Sequence, residues 1–81
     1  MSKTIRVELF AELAEVAGKS EFSHHTEAAD VAALYAELCS QFQFRFAQSA
    51  LKAARNGEFT GWNQVLADQD HIAFLPPFSG G

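Results

Sequence analysis

Cysteine is nearly missing from this chain: Cys39 stands alone, which excludes an internal disulfide and fits a reducing compartment. No cationic neighbour in the sequence activates that thiol, and no C-x-x-C or H-x-x-x-H spacing is present. The pair His24-His25 falls where consecutive strand residues point to opposite faces, so the two cannot hold one ion together, and no metal site is expected. Neither a glycine-rich phosphate loop nor a nucleophile beside a base can be found. Basic residues are few and scattered singly from Lys3 to Arg55, six against ten acidic ones, for a net charge of -4. Phosphate backbones and anionic lipid would repel such a surface, so nucleic acid and membrane are excluded as expected partners. Long apolar runs are also missing. Met1 leads into a charged, alternating segment with Lys3, Arg6 and Glu8 rather than into the apolar core of a signal peptide, and the expected location is cytoplasmic.

What is present describes a small folded body. Apolar residues make up 48% of the chain and charged ones 20%, a composition that is neither disordered nor fibrous. Residues 1–81 are read as a single domain, large enough for a modest core but too small to surround substrate and cofactor together. Any chemistry is therefore expected to need a second protein, with no cofactor bound tightly by this chain.

Ile5, Val7 and Leu9 alternate with Arg6, Glu8 and Phe10, which predicts a first strand over Thr4 to Phe10 with one face on a core. Leu13, Val16 and Ala17 at helical spacing, followed by Gly18, predict a short helix whose Glu12 and Glu15 face away. A weaker strand follows over Glu21 to His25. Asp30 then caps a helix expected over Val31 to Gln41, whose apolar stripe is Val31, Leu34, Tyr35, Leu38 and Phe42. Phe42, Phe44 and Phe46 alternate with Gln43 and Arg45, so the chain is expected to be extended there, with its phenyl rings covered.

The segment from Leu51 to Arg55 reads as a strand, and Asn56-Gly57 is a strong hairpin signal because both central residues of a type I′ turn need positive φ. Glu58 to Thr60 would be the returning arm. His71 to Leu75 is apolar enough for a buried central strand, and Pro76-Pro77 ends it, since neither residue can donate a ladder hydrogen bond. Strand, strand, helix, strand, strand is the order of the β-grasp, or ubiquitin-like, α+β fold: a mixed sheet of four to five strands packed on one main helix.

Residues 76–81, Pro76-Pro77-Phe78-Ser79-Gly80-Gly81, read as an extended functional tail. Four residues beyond the prolines reach about 13 Å at roughly 3.3 Å each, far enough to enter another protein. Two side-chain-free glycines pass through a narrow tunnel and bring a carboxylate to a nucleotide or a nucleophile. The bland alternative is a frayed terminus.

The segment Asp68-Gln69-Asp70-His71-Ile72-Ala73-Phe74-Leu75-Pro76-Pro77-Phe78-Ser79-Gly80-Gly81 resembles the ending of the molybdopterin synthase small subunits, a family of the MoaD/ThiS-type sulfur carriers. The opening Ile5-Arg6-Val7-Glu8-Leu9-Phe10-Ala11-Glu12-Leu13-Ala14-Glu15-Val16-Ala17-Gly18 and Asn56 are similar to it more loosely. The resemblance implies a β-grasp fold and a carrier that is not catalytic alone. It implies that Gly81 is adenylated by a ubiquitin-activating-like adenylyltransferase that uses ATP, then converted to a thiocarboxylate with sulfur from a donor protein. Phe78, Ser79 and Gly80 would enter the large subunit of the synthase, where sulfur is given to a cyclic pyranopterin monophosphate. Two loads per dithiolene and an assembly of two large and two small subunits would follow. Gln69 departs from the family, which usually has Gly between the two acidic residues.

Phe74, Leu75, Pro76, Pro77 and Phe78 are assigned to a partner interface, in keeping with aromatic enrichment in such surfaces. Phe10, Phe22 and Phe42 are assigned to ordinary core packing. Cys39 lies about 80° from the centre of the helical stripe, at 100° per residue, and is read as a half-buried small hydrophobe. Asp68, Asp70 and Glu58 are expected to be turn and solvent residues. Competing functions are a thiamine-pathway sulfur carrier, a modifier joined to target lysines, and a plain interaction module without tail chemistry.

Overall fold

The structure is a computed structural model that describes residues 2–76. Its strands are β1 (Lys3–Leu9), β2 (Glu21–Thr26), β3 (Lys52–Arg55), β4 (Glu58–Thr60) and β5 (His71–Leu75), and its helices are α1 (Glu12–Ala17) and α2 (Val31–Phe42). One five-stranded sheet runs in the order β2-β1-β5-β3-β4. β1 and β5 are parallel, with Val7 beside Ile72 and Leu9 beside Phe74, and the other pairings are antiparallel. With α2 across one face, this is the ubiquitin-like β-grasp fold. No helix among the described residues is long and apolar enough to cross a membrane.

Period-2 alternation in β1 turns Ile5, Val7 and Leu9 toward α2, where they meet Val31, Leu34 and Leu38 in the core. Asp30 caps α2 as its spacing predicts, its carboxylate accepting the Ala33 N–H at 2.9 Å. Two further donors of the first turn are satisfied from a distance: Val31 N–H donates to the Gln64 carbonyl and Ala32 N–H to the Trp62 carbonyl. The segment after Gly61, which has no periodicity to read, is thereby tied to the helix terminus and places Trp62. Asn56 and Gly57 have φ of 52° and 91°, as the hairpin requires.

Four expectations are corrected. Val16 is 54% exposed, because the single short turn of α1 buries Leu13 and leaves little sheet to cover the rest. Phe10 is 39% exposed rather than in the core, since it follows the last paired residue of β1 and falls on the outer side of the alternation. The run after α2 forms no strand: Gln43 takes a left-handed conformation (φ 64°), which reverses the chain so that Phe44 stacks on Tyr35 at 6.2 Å and Phe42 meets Phe22 at 5.5 Å. Tyr35 holds that loop by donating its hydroxyl to the Phe46 carbonyl at 2.7 Å.

The fourth concerns Asp70, which is buried rather than a solvent residue. Its carboxylate accepts from Arg55 Nε (2.8 Å), Asn56 Nδ2 (3.1 Å) and Ala67 N–H (2.8 Å), and its carbonyl accepts the Arg6 N–H (2.9 Å). Four parts of the chain thus meet immediately before β5. Burial pushes the carboxyl pKa up, but the bonds from Arg55, Ala67 and Asn56, with the charge of Arg55, outweigh it and hold the value below the usual 3.8. A depressed acid contributes stability above its unfolded pKa and loses it as pH falls through the folded value.

Asp70→Ala is expected to cost about 2–4 kcal/mol in urea unfolding at neutral pH, with the gap to the natural chain closing below about pH 4. Gln69 adopts φ 72°, the left-handed conformation for which glycine is suited, while its N–H donates to the Thr4 carbonyl. Gln69→Gly is expected to stabilise the chain by ~0.5–1 kcal/mol in the same measurement, because relief of the side-chain clash exceeds the added freedom of the unfolded state.

Candidate functional site

β5 lies between β1 and β3, and its outward residues are therefore the middle of the open sheet face. Register sets Glu8 beside Ala73, Ala73 beside Ala54 and Ala54 beside Phe59, so one cross-strand row becomes apolar toward β4. Leu75 lies opposite Lys52 in the next row. Phe59 is 73% exposed, beyond what an ordinary surface phenylalanine needs, and it separates two shallow grooves. One, of about 460 Å³, is lined by Leu51, Phe59, Trp62, Leu75 and Pro76 with Lys52 at its edge. The other, of about 270 Å³, runs along Phe10, Ala54, Phe59, Ala73 and His71.

The expected interface residues divide across the sheet. Leu75 and Pro76 are half-buried and line the larger groove. Phe74, expected at the interface, is corrected to a core residue: it is 0% exposed and packs on Tyr35 at 5.3 Å and Trp62 at 5.8 Å. Alternation along β5 forces that outcome, since Phe74 and Leu75 must face opposite sides. Phe74 supports the face from beneath. Pro77, Phe78, Ser79, Gly80 and Gly81 lie outside the described residues. Phe59, Trp62 and Leu51 were not singled out in the sequence, where they are an isolated aromatic in a three-residue arm, a tryptophan in an irregular stretch and the residue before β3.

A polar cluster occupies the β1–β2 side of the same face. His71 Nε2 is 3.0 Å from Glu8 Oε1 and 4.0 Å from Glu21 Oε2, and ligand atoms of the three lie within 4.8 Å of one another. Arg6 already donates twice to Glu21, at 3.2 Å each, so a guanidinium supplies the positive charge that a metal ion would bring. His24 and His25 separate as strand geometry demands: His24 approaches Glu37 at 3.1 Å and His25 Nδ1 approaches Thr4 Oγ1 at 3.0 Å. Cys39 is half-buried against the core.

The ThiS family model matches residues 7–81. This chain belongs to the ThiS family. Members of this ThiS/MoaD group are small ubiquitin-like sulfur carriers, so the β-grasp body is a carrier fold. Among solved structures, the chain is similar to the small archaeal modifier protein SAMP1 from Haloferax volcanii, at 28% identity and a TM-score of 0.81, covering 96% of this chain and 99% of that one. It is also similar to a protein in the complex of subunits 1 and 2 of molybdopterin-converting factor from Helicobacter pylori, at 25% identity and TM-score 0.65, covering 96% and 99%. The ubiquitin of Caldiarchaeum subterraneum shares the fold, with TM-score 0.65 at 15% identity over the full length of both. A search of curated protein sequences finds no match.

In this ThiS-family chain, Phe59→Ala is expected to change unfolding free energy by no more than ~0.5 kcal/mol, because its ring is already in water. Phe74→Ala is expected to cost about 3–5 kcal/mol. Urea midpoints of the two variants separate the exposed face from its support.

Proposed function

We propose that this chain is the sulfur-carrier subunit of a molybdopterin synthase, working through the carboxylate of Gly81. The observation that carries the reading is the continuity of Pro76-Pro77-Phe78-Ser79-Gly80-Gly81 with β5, beside the apolar face around Phe59 and Leu75. Pro76 ends the ladder of β5, the face offers a partner a place to dock, and the last two residues, Gly80 and Gly81, carry no side chain that would stop them entering its active site. The similarity to a protein in the Helicobacter pylori complex of converting-factor subunits 1 and 2 supports a large subunit as that partner.

The chemistry is a two-step exchange at one carbon. A carboxylate oxygen of Gly81 attacks the α-phosphorus of ATP held by an adenylyltransferase, and pyrophosphate leaves. A hydrosulfide equivalent from a donor protein then attacks the acyl carbon, AMP departs with the oxygen, and a thiocarboxylate remains after loss of a proton. Inside the large subunit that sulfur passes to a cyclic pyranopterin monophosphate, and water restores the carboxylate. Binding, positioning and exclusion of bulk are this chain's part, and the partners supply nucleotide and substrate sites.

The similarity to a modifier protein favours one second reading, in which Gly81 is joined to lysines of target proteins. Both readings share adenylation and differ in the acceptor.

Incubation with ATP, an adenylyltransferase and a sulfur source, followed by intact mass measurement, is expected to show one oxygen exchanged for sulfur at Gly81. Deletion of Gly81 is expected to abolish the exchange and product formation while the urea midpoint stays unchanged. Lysine-linked conjugates of higher mass without that exchange would establish the modifier instead. Phe59→Ala is expected to weaken binding to the large subunit about tenfold or more in calorimetry, as loss of an anchor ring does.

A further inference from the structure

We propose that the outer edge of β2 is a self-association surface, on which a second copy of this chain pairs its own β2 in the antiparallel sense and joins the two sheets into one. β2 is a terminal strand of the sheet, so only its inner edge is paired, and β1 holds it there over an unbroken register. Leu9 N–H donates to the Ser20 carbonyl, and bonded positions recur at every second residue, so Phe22, His24 and Thr26 direct their backbone groups at β1. The N–H and C=O groups of Glu21, Ser23 and His25 therefore point away from the sheet, and all three residues are exposed. Among the described residues nothing hydrogen-bonds to those backbone groups. Edges are commonly blunted by a proline, a bulge or a lysine, and Glu21-Phe22-Ser23-His24-His25-Thr26 has none of them.

Geometry and charge select a second copy as the occupant. A two-fold axis perpendicular to the sheet continues the open face of one copy into the open face of the other, so opposed residues must belong to the same face. Centring the axis on Ser23 meets that condition and satisfies every outward group. Glu21 then exchanges both bonds with the partner's His25, Ser23 with the partner's Ser23 and His25 with the partner's Glu21. A shift of two residues either way loses one of those pairs from the strand. In the centred register an acid opposes an imidazole at both ends, and Phe22 opposes the partner's His24 on the helix face. The same register brings Lys19, exposed just before β2, level with the partner's Glu27, exposed just after it. The order of charge before Ser23 is thus complementary to the order after it, which is what pairing about a two-fold axis requires. A single strand edge belongs with interfaces under about 1,200 Å², so the dimer exchanges with monomer and its population follows concentration. β4 and Phe59 lie at the far edge, so the apolar face stays open in both copies and the proposal stands apart from the carrier reading.

Sedimentation equilibrium of the full chain, over a dilution series reaching about 1 mM, is expected to show a mass that rises from one chain toward two. Amide exchange over the same series is expected to slow at Glu21, Ser23 and His25 and to stay unchanged at Phe59. Ser23→Pro removes an N–H that faces outward, a substitution an edge strand tolerates. It deletes both central bonds of the pair at once and is expected to raise the dissociation constant about tenfold or more. Lys19→Glu is expected to raise it about threefold, and adding Glu27→Lys in the same chain to restore it. The charge swap stays decisive should Ser23→Pro lower the urea midpoint. A single-chain mass at every concentration overturns the proposal, and so does association that the charge swap fails to restore. Association lost in Phe59→Ala but kept in Ser23→Pro assigns it to the apolar face and overturns the edge pairing as well.

Discussion

The pairing of β5 with β1 on one side and β3 on the other is the constraint on which the middle of the sheet and its open face depend. A strand held on both edges cannot slip without losing two ladders, and a one-residue slip would exchange Phe74 for Leu75 on the core face. Asp70 sets where the strand begins by gathering Arg55, Asn56 and Ala67 around one buried carboxylate. The direction and height at which Pro76 leaves the sheet are therefore properties of the whole body.

Aromatic residues are distributed in two tiers around β5. Tyr35, Phe44, Trp62 and Phe74 pack ring against ring on the helix side of the sheet, Tyr35 on Phe44 and Trp62 on Phe74 as stacked pairs. Phe59 and Phe10 lie on the opposite side, in solvent. The lower tier stiffens the ground on which the upper one stands, so that an apolar face can be offered to partners without loosening the core. The charged group of Arg6, Glu8, Glu21 and His71 borders the apolar row and limits it to one half of the sheet.

Wherever a local rule was sufficient, the fold could be read from the chain. Alternation in β1, the stripe and cap of α2, the Asn56-Gly57 turn and the end of β5 at Pro76 all depend on residues within a few positions of each other. The burial of Asp70 could not be read, because its partners Arg55 and Asn56 are fifteen and fourteen residues away. The side on which Phe74 falls was equally hidden, since an unbroken apolar run carries no period to orient it. The role of Gly61 to Leu66 as a cover for the first turn of α2 depends on carbonyl groups, which every residue has. Of the candidate site, the tail motif is legible as sequence, and the exposed face beside it exists only once β3, β4 and β5 are aligned.

Parallel pairing of β1 with β5 also has a consequence for synthesis. Residues near position 6 and residues near position 71 must meet before the sheet has its middle, so completing it closes a loop that spans almost the entire chain. A ribosome-bound fragment that stops short of residue 71 lacks the strand that separates β1 from β3, and it has no route to a complete core. Prematurely ended products are thus left with an incomplete core and open to proteolysis.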